Sequence, residues 1–456
     1  MAINGLTLGS VNMKKQAKRT RLMMALAVAM PVWAWADEAR ILALEARIVQ
    51  LEQQLNVLVK QLPDAVAAAP PTAKAAAVAT SAPVAAIQDI TITPSAALGT
   101  KFFASGFVKL DAMLTRTADG ELADGGIARD LYVPGLTPVG GSAESVDIDS
   151  HIKFSRLIFG TDTVSDTHTV QTRIEMDFFG NGLGDERFNN ASGLVVRHAY
   201  AQLDNRWLVG QTWSTFMDAA TLPESSDLIG PTDGTVFMRQ PMLRYSRGPF
   251  MFALENPETT LTPFRGGTRI SSDDNFVPDL IGRYNHKFAS GGTLGVASLL
   301  RQLRYDTNAP ARSESATGLG LSVFGKLPMG SDDVRFALTV GEGVSRYLAL
   351  NEDNDAVLDE NAAIMPVRSV AGYVAYRHLF SPQLRSTVFF ARGDYDNSAL
   401  GGLLQTKMSQ SLHFNLFYSP LPKWDVGAEV FYAERELESG ARGNLWRLHT
   451  TVKYAF

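Results

Sequence analysis

The closing segment of the chain, 444–456, sorts its side chains by parity. Trp446, Leu448, Val452, Tyr454 and Phe456 fall on one face, with Thr450 among them, and Arg447, His449, Thr451, Lys453 and Ala455 fall on the other. Residues 168–178 repeat the pattern: Val170, Thr172, Ile174, Met176 and Phe178 point one way, Gln171, Arg173, Glu175 and Asp177 the other. A period of two is the signature of a strand with one apolar face. From Phe102 onward it predicts strands near 102–115, 151–163, 168–179, 193–203, 207–214, 239–247, 249–256, 278–287, 292–305, 317–327, 333–345, 366–379, 384–396, 406–419, 424–436 and 444–456. Connections alternate short and long. The short ones sit at Ser165-Asp166, Asp204-Asn205, Arg247-Gly248, Ser290-Gly291-Gly292, Met329-Gly330-Ser331, Ser381-Pro382 and Pro420-Leu421-Pro422. So many apolar faces, with no helices to cover them, have no partner in water. Lipid covers them if the strands close into a cylinder, and closure leaves no unpaired edge. The expected fold is all-β: a transmembrane antiparallel β-barrel of about 16 strands over 101–456, with short periplasmic turns and long outer loops. A short α-helical coiled coil precedes it.

That coil is read from a different period. Ile41, Ile48, Leu55 and Leu62 take heptad position a, and Leu44, Leu51 and Leu58 take d. Arg40 and Arg47 fall at g, five residues before Glu45 and Glu52 at e, so each Arg can meet a Glu on a neighbouring chain. The segment 37–62 is therefore expected to make the protein an oligomer; Ile at a with Leu at d leans dimeric, while Leu at a blurs that preference. Pro63 ends the helix, and the Ala- and Pro-rich stretch 63–100 reads as a semi-extended linker.

Residues 1–36 read as a signal peptide: a basic region (Lys14, Lys15, Lys18, Arg19, Arg21), an apolar stretch from Leu22 to Trp35, and a small-x-small site at Ala34-Trp35-Ala36. Beyond it no apolar run reaches the ~20 residues a membrane helix needs. The formal charge is −5, and removing the five basic residues of 1–36 makes it −10. That balance says little about a pore, because lining charges act only over a Debye length of ~8–10 Å. The absence of cysteine excludes disulfides and thiolate metal sites.

A barrel of this size encloses an aqueous channel, so candidate chemistry lies on inward faces. Alternation places Lys109, Asp111, Arg173, Glu175, Asp177, Arg197, Gln211, Arg244, Glu255, Arg283, Arg301, Arg335, Asn415, Glu429, Arg447 and Lys453 there, with Arg156 on a strand that alternates less cleanly. A charge facing lipid at mid-membrane costs roughly 2–4 kcal/mol, which favours the inward placement. Such arginines can form self-neutralising ladders with carboxylates, or a ring that attracts anions. Basic candidates outnumber acidic ones, so a modest anion preference is expected. The loop 215–238 carries Phe216, Leu222, Leu228, Ile229, Val236 and Phe237, more apolar surface than an external loop needs. It is expected to fold into the barrel as a constriction, with Asp218, Glu224, Asp227, Asp233 and the following Arg239 at an eyelet facing the basic wall. Loop 116–150 is turn-rich at 130–141 and is the alternative constriction.

Taken together, GFVKLDAM (106–113), LYVPGLTPVGG (131–141), VRHAY (196–200), VGQTWSTFMD (209–218), LPESSDLIGP (222–231), the signal, the heptads and Phe456 resemble the DcaP-type outer-membrane porins of Gram-negative bacteria. The resemblance implies a trimer of roughly sixteen-stranded barrels with a periplasmic coil. It also implies passive uptake of small anionic solutes, notably dicarboxylates, with no cofactor and no nucleic-acid partner. An envelope tether, its coil binding peptidoglycan or a periplasmic partner, is the second reading. A hydrolase is the third: none of the seven histidines belongs to a nucleophile elbow or a zinc-binding helix, and Ser411 and His413 form only a loose pair on one strand face.

Overall fold

A computed structural model describes residues 96, 97, 99–180, 189–308 and 311–456. The signal segment 1–36, the heptad segment 37–62 and nearly all of the linker 63–100 lie outside the described residues.

The wall is built from β1 (Thr100–Thr117), β2 in two collinear pieces (Ser145–His151 and Arg156–Val164), β3 (Thr169–Asp177), β4 (Val195–Leu203), β5 (Trp207–Trp213), β6 (Arg239–Arg247), β7 (Phe250–Glu255) and β8 (Asp279–Lys287). It continues through β9 (Thr293–Asn308), β10 (Ala311–Met329), β11 (Asp332–Glu342), β12 (Arg368–Leu379), β13 (Leu384–Asp396), β14 (Thr406–Tyr418), β15 (Trp424–Leu437) and β16 (Arg442–Ala455). Each strand pairs antiparallel with the next, and β16 returns to β1 from Phe107↔Ala455 to Thr117↔Leu445. The result is a closed sixteen-stranded barrel. The last residue takes part in the seam: the Phe456 amide donates to the Gly106 carbonyl at 3.0 Å. Gly106 has room for no side chain there, since a Cβ would strike the Arg156 carbonyl and the Phe456 ring.

Outward faces carry Leu110, Val209, Leu243, Leu254, Leu280, Leu338, Val374, Leu412, Val430 and Leu448, all exposed. A continuous apolar surface of this extent belongs in lipid rather than water. Aromatic pairs edge it: Trp207–Tyr245, Phe250–Tyr284 and Trp424–Tyr454 near the short turns, and Tyr432–Trp446 near the long loops. Such rings sit where hydrocarbon meets headgroups.

Two elements differ from the sequence reading. The loop expected at 306–316 is instead the tip of a long hairpin, with β9 and β10 paired out to Asn308↔Ala311. Its polar residues hide it from a hydropathy pattern, yet continued pairing satisfies the backbone at no cost in burial. The long loops 256–278 and 343–367 contribute a small sheet of four segments, Thr259–Thr262, Ile270–Ser272, Ala356–Leu358 and Ile364–Pro366. These are too short to show a period.

Candidate pore and its lining

Loop 214–238 leaves β5, crosses the lumen and returns to β6. Its apolar residues Phe216, Met217, Ile229, Val236 and Phe237 are buried in clusters shared with Leu131, Phe154, Tyr347 and Leu348. Polar contacts fix its course strand by strand. Arg283 on β8 donates to Asp218 at 2.6 Å, Arg335 on β11 to the Leu222 carbonyl, and Arg385 on β13 to both Glu224 oxygens at 2.7 and 2.6 Å. Glu429 on β15 accepts from Ser225 Oγ at 2.8 Å and from the Ser226 amide at 2.8 Å, while Lys109 on β1 donates to the Ser226 carbonyl at 2.7 Å. At the far end Gly234 lies on the Gly372 backbone so closely that a Cβ would clash.

Loop 118–144 also turns inward. The Tyr132 amide donates to Asp227 at 2.9 Å and its hydroxyl to Asp233 at 2.6 Å, with the ring packed on Phe431. The acidic residues of the constriction loop therefore do not face a basic wall across an open eyelet. Asp218 and Glu224 are clasped by wall arginines, and Asp227 and Asp233 join the two loops. A buried carboxylate needs such partners, and the loop's backbone has no strand to supply them. Loop 343–367 packs on the same side, with Tyr347 and Leu348 in the cluster of Phe216 and Val236. There burial, reinforced by nearby Asp233, pushes the Glu352 carboxyl up to about 8, and burial raises Asp353 to about 7.

The wall residues divide by access. Arg301 lies on Asp355 at 2.9 Å and Asp279 at 3.4 Å with no exposure. Arg447 donates to Thr115 and the Ala128 carbonyl and is equally buried. Lys109 and His449 share Asp111, and Arg197 spans Glu175 at 3.2 Å and Asp177 at 2.6 Å. Arg244 bonds Thr215 Oγ1 at 2.8 Å and the Trp213 carbonyl, and Glu255 is held by the Thr215 amide and Gln240. Asn415 bonds the Glu224 carbonyl and Glu429. These groups hold the structure. The accessible groups lie nearer the short turns: Arg156 and Arg173 on Glu175, Lys453 on Asp425 at 2.9 Å, and three cations on the single carboxylate of Asp333. Those three are Arg335 at 2.6 Å, Arg377 at 3.1 Å and Lys326 at 3.9 Å, with side chains 13%, 27% and 40% exposed.

Lys326, Arg377 and Arg385 escaped the sequence reading, although the alternation of β10, β12 and β13 already assigns them to the inward face. One expected lining residue needs correcting. Gln211 shares the outward row of Trp207 and Val209, and its amide donates to the Val196 carbonyl at 3.1 Å. Pairing of β4 with β5 stops at Ala199↔Gln211, so the polar side chain satisfies backbone where the ladder ends. Arg239, expected at the eyelet, stacks on Trp213, 5.0 Å from the ring centre, with the inward-facing Arg197, Asp177, Arg156 and Glu175 as its charged neighbours.

Among the accessible turn-side groups Arg156, Arg173, Lys326, Arg335, Arg377 and Lys453 stand against Glu175, Asp333 and Asp425. The balance is positive. Among the described residues no group of three or more His, Asp or Glu side chains could hold a metal ion. Ser411 donates to Asp233, while His413 is stacked between Phe389 and Phe431 and bonded to Glu429 at 2.8 Å, so the two do not act on one another.

A closed sixteen-strand barrel with an apolar exterior, charged interior and inward-folded loop defines an outer-membrane protein of the porin type. The chain belongs to the DcaP family: the family described as DcaP outer membrane protein matches residues 32–456. Among solved structures it is similar to the outer membrane channel DcaP of Acinetobacter baumannii, at 22% identity and a TM-score of 0.65, covering 78% of this chain and 98% of that one. An anion-selective porin from Comamonas acidovorans is a more distant match, at 10% identity and a TM-score of 0.49 over 78% of this chain and 100% of that one. A comparison with curated proteins returned no match.

Proposed function

We propose that the protein is a passive diffusion channel that favours small anions, with dicarboxylates as the preferred class. One observation carries this reading: three accessible cations converge on the lone carboxylate of Asp333, within a turn-side lining whose accessible basic groups exceed its acids. Fixed charge in a narrow passage selects by sign, and guanidinium forks match carboxylates in pairs. Loop 214–238, tied to strands around the wall, sets the size limit without needing an energy source. The reading includes a homotrimer, with the 37–62 heptads either helping to assemble it or, in the second reading, tethering the barrel to peptidoglycan or another periplasmic partner.

The test is the reversal potential of single channels in a salt gradient, with succinate or phthalate then added to one side. An anion-selective potential, and a current that either compound reduces, is expected. A cation-selective channel indifferent to both would remove the proposal.

A further inference from the structure

Arg239 stands where the chain returns from the constriction loop to β6, and it is bound unlike any other wall arginine. Its Nη1 is buried without a hydrogen-bond partner, and the guanidinium enters no ion pair among the described residues. Stacking holds it instead: the ring centres of Trp213 and Phe237 lie 5.0 and 5.8 Å from its central carbon. Stacking fixes the plane of a guanidinium and leaves its N–H edge free for an oxyanion.

Two basic neighbourhoods meet at this side chain. One is a recess of about 420 Å³ among the long loops, which Arg239 lines together with Arg269 and Arg346, and with Glu258 as the one carboxylate on its wall. Arg346 is engaged by Asp279 at 3.3 Å. Arg269 is steadied by Asn354 and the Asn351 carbonyl; Asp353 and Asp355 act on it from a distance, and it forms no ion pair among the described residues. Arg239 and Arg269 are thus left to a solute, against one acid.

The other neighbourhood is the inward wall of β2–β4. Arg156 and Arg173 lie on Glu175 at 3.0 and 2.7 Å, and Arg197 spans Glu175 and Asp177. Arg197 also shares the Trp213 ring, 5.9 Å from its centre. With Arg239, four guanidiniums act on two carboxylates. Arg156 Nε and Arg173 Nε are buried without partners among the described residues. Like charges held this close repel, and an arriving anion relieves them. Arg173, 40% exposed, leads on to the turn-side lumen.

We propose that the recess is an entry subsite for small oxyanions: a solute from the loop side is held first by Arg239 and Arg269, then passes along Arg197, Arg156 and Arg173 toward the turn side. The inference rests on the anion-channel reading and adds to it a place of capture and a direction. A structural arginine at this depth would have an acceptor among its neighbours.

The experiment records single channels of the full-length protein, inserted in one orientation, with succinate or inorganic phosphate added to the loop side or to the turn side. The rate of current-blocking events gives the entry rate from each side. Wild type, R239Q, R269Q and R239Q/R269Q are compared, with β-sheet circular dichroism as the report of folding. A dianion about 6 Å from a lost unit charge shifts about tenfold in a watery site, so each single variant should slow loop-side entry of succinate by about that factor. Phosphate should be slowed in the same sense, and turn-side entry should change by less than about twofold. R269Q, in an exposed loop position, keeps the test open if R239Q folds poorly. Unchanged loop-side entry in R239Q/R269Q overturns the proposal. So does equal slowing from both sides, which would mark a general loss of lumen charge, and so does slowing of succinate with phosphate untouched. A wild-type channel indifferent to succinate from either side would instead remove the anion-channel reading, and this one with it.

Discussion

Arg301 and Asp333 centre two charge knots of different composition. Around Arg301, the carboxylates of Asp279 and Asp355 meet two guanidiniums, those of Arg301 and Arg346, and the knot is sealed from solvent among the long loops. Around Asp333, three cations share one carboxylate, and the knot opens toward the turn-side lumen. The residue types are the same; stoichiometry and access differ. The first arrangement spends its charge on fixing loop 343–367, since Asp355 also accepts from the Arg346 amide and Thr260. The second leaves positive charge unspent where a solute passes. Counting arginines along the sequence cannot separate these roles, but counting partners at each arginine does.

The comparison breaks most sharply at Arg301. Arg301→Met removes the guanidinium on Asp355 and one of the two on Asp279 in a site sealed from solvent, and breaking a buried pair in this way costs about 3–5 kcal/mol. The expected result is a large fall in the urea midpoint of the detergent-folded barrel, with loop 343–367 newly open to protease. A midpoint within error of wild type would place Arg301 with the accessible arginines and dissolve the contrast.

At the open knot the effect falls on selectivity instead. Asp333→Asn removes the one acid and should raise the anion-to-cation permeability ratio, while K326Q/R377Q should lower it. One unit charge about 6 Å from the ion path in a watery lumen shifts each ion about threefold, in opposite senses for anion and cation, so the ratio moves roughly tenfold before screening. Reversal potentials measure both variants, and movement in the same direction for both would refute the assignment.

Much of this was legible in the chain. Parity alone gave the strands and placed Arg173, Glu175 and Lys453 inside, because a half-buried wall must alternate. It failed at Gln211, where a polar side chain faces outward to serve the end of a ladder, a long-range fact of pairing. The apolar content of 215–238 announced that the loop packs, but its partners did not follow: Arg283 and Arg385 are distant in sequence from Asp218 and Glu224. The segments at 259–262 and 356–358 carry no period at all, and only the closed wall brings them together.

The smallest expected effect concerns pH and the loop junction. Glu352 accepts from Ser409 at 2.6 Å and from Tyr395, with Asp233 and Asp353 as acidic neighbours and Arg435 the nearby cation. Its carboxyl is raised to about 8 in the folded state against an ordinary value of 4.5. The folded protein therefore holds a proton that the unfolded chain releases. The associated stability is complete below the ordinary value and is lost as pH rises through about 8. Loop 343–367 should exchange amide hydrogen faster, and the open channel should become noisier, on raising the pH past that point. Glu352→Gln keeps the neutral form at every pH and should flatten this dependence, leaving a weaker residual from Asp353, whose carboxyl is raised to about 7. If the variant keeps the full pH response, the junction is governed by a group other than Glu352. The sealed side of the lumen would then owe its order to packing around Tyr347 and Leu348 rather than to a shared proton.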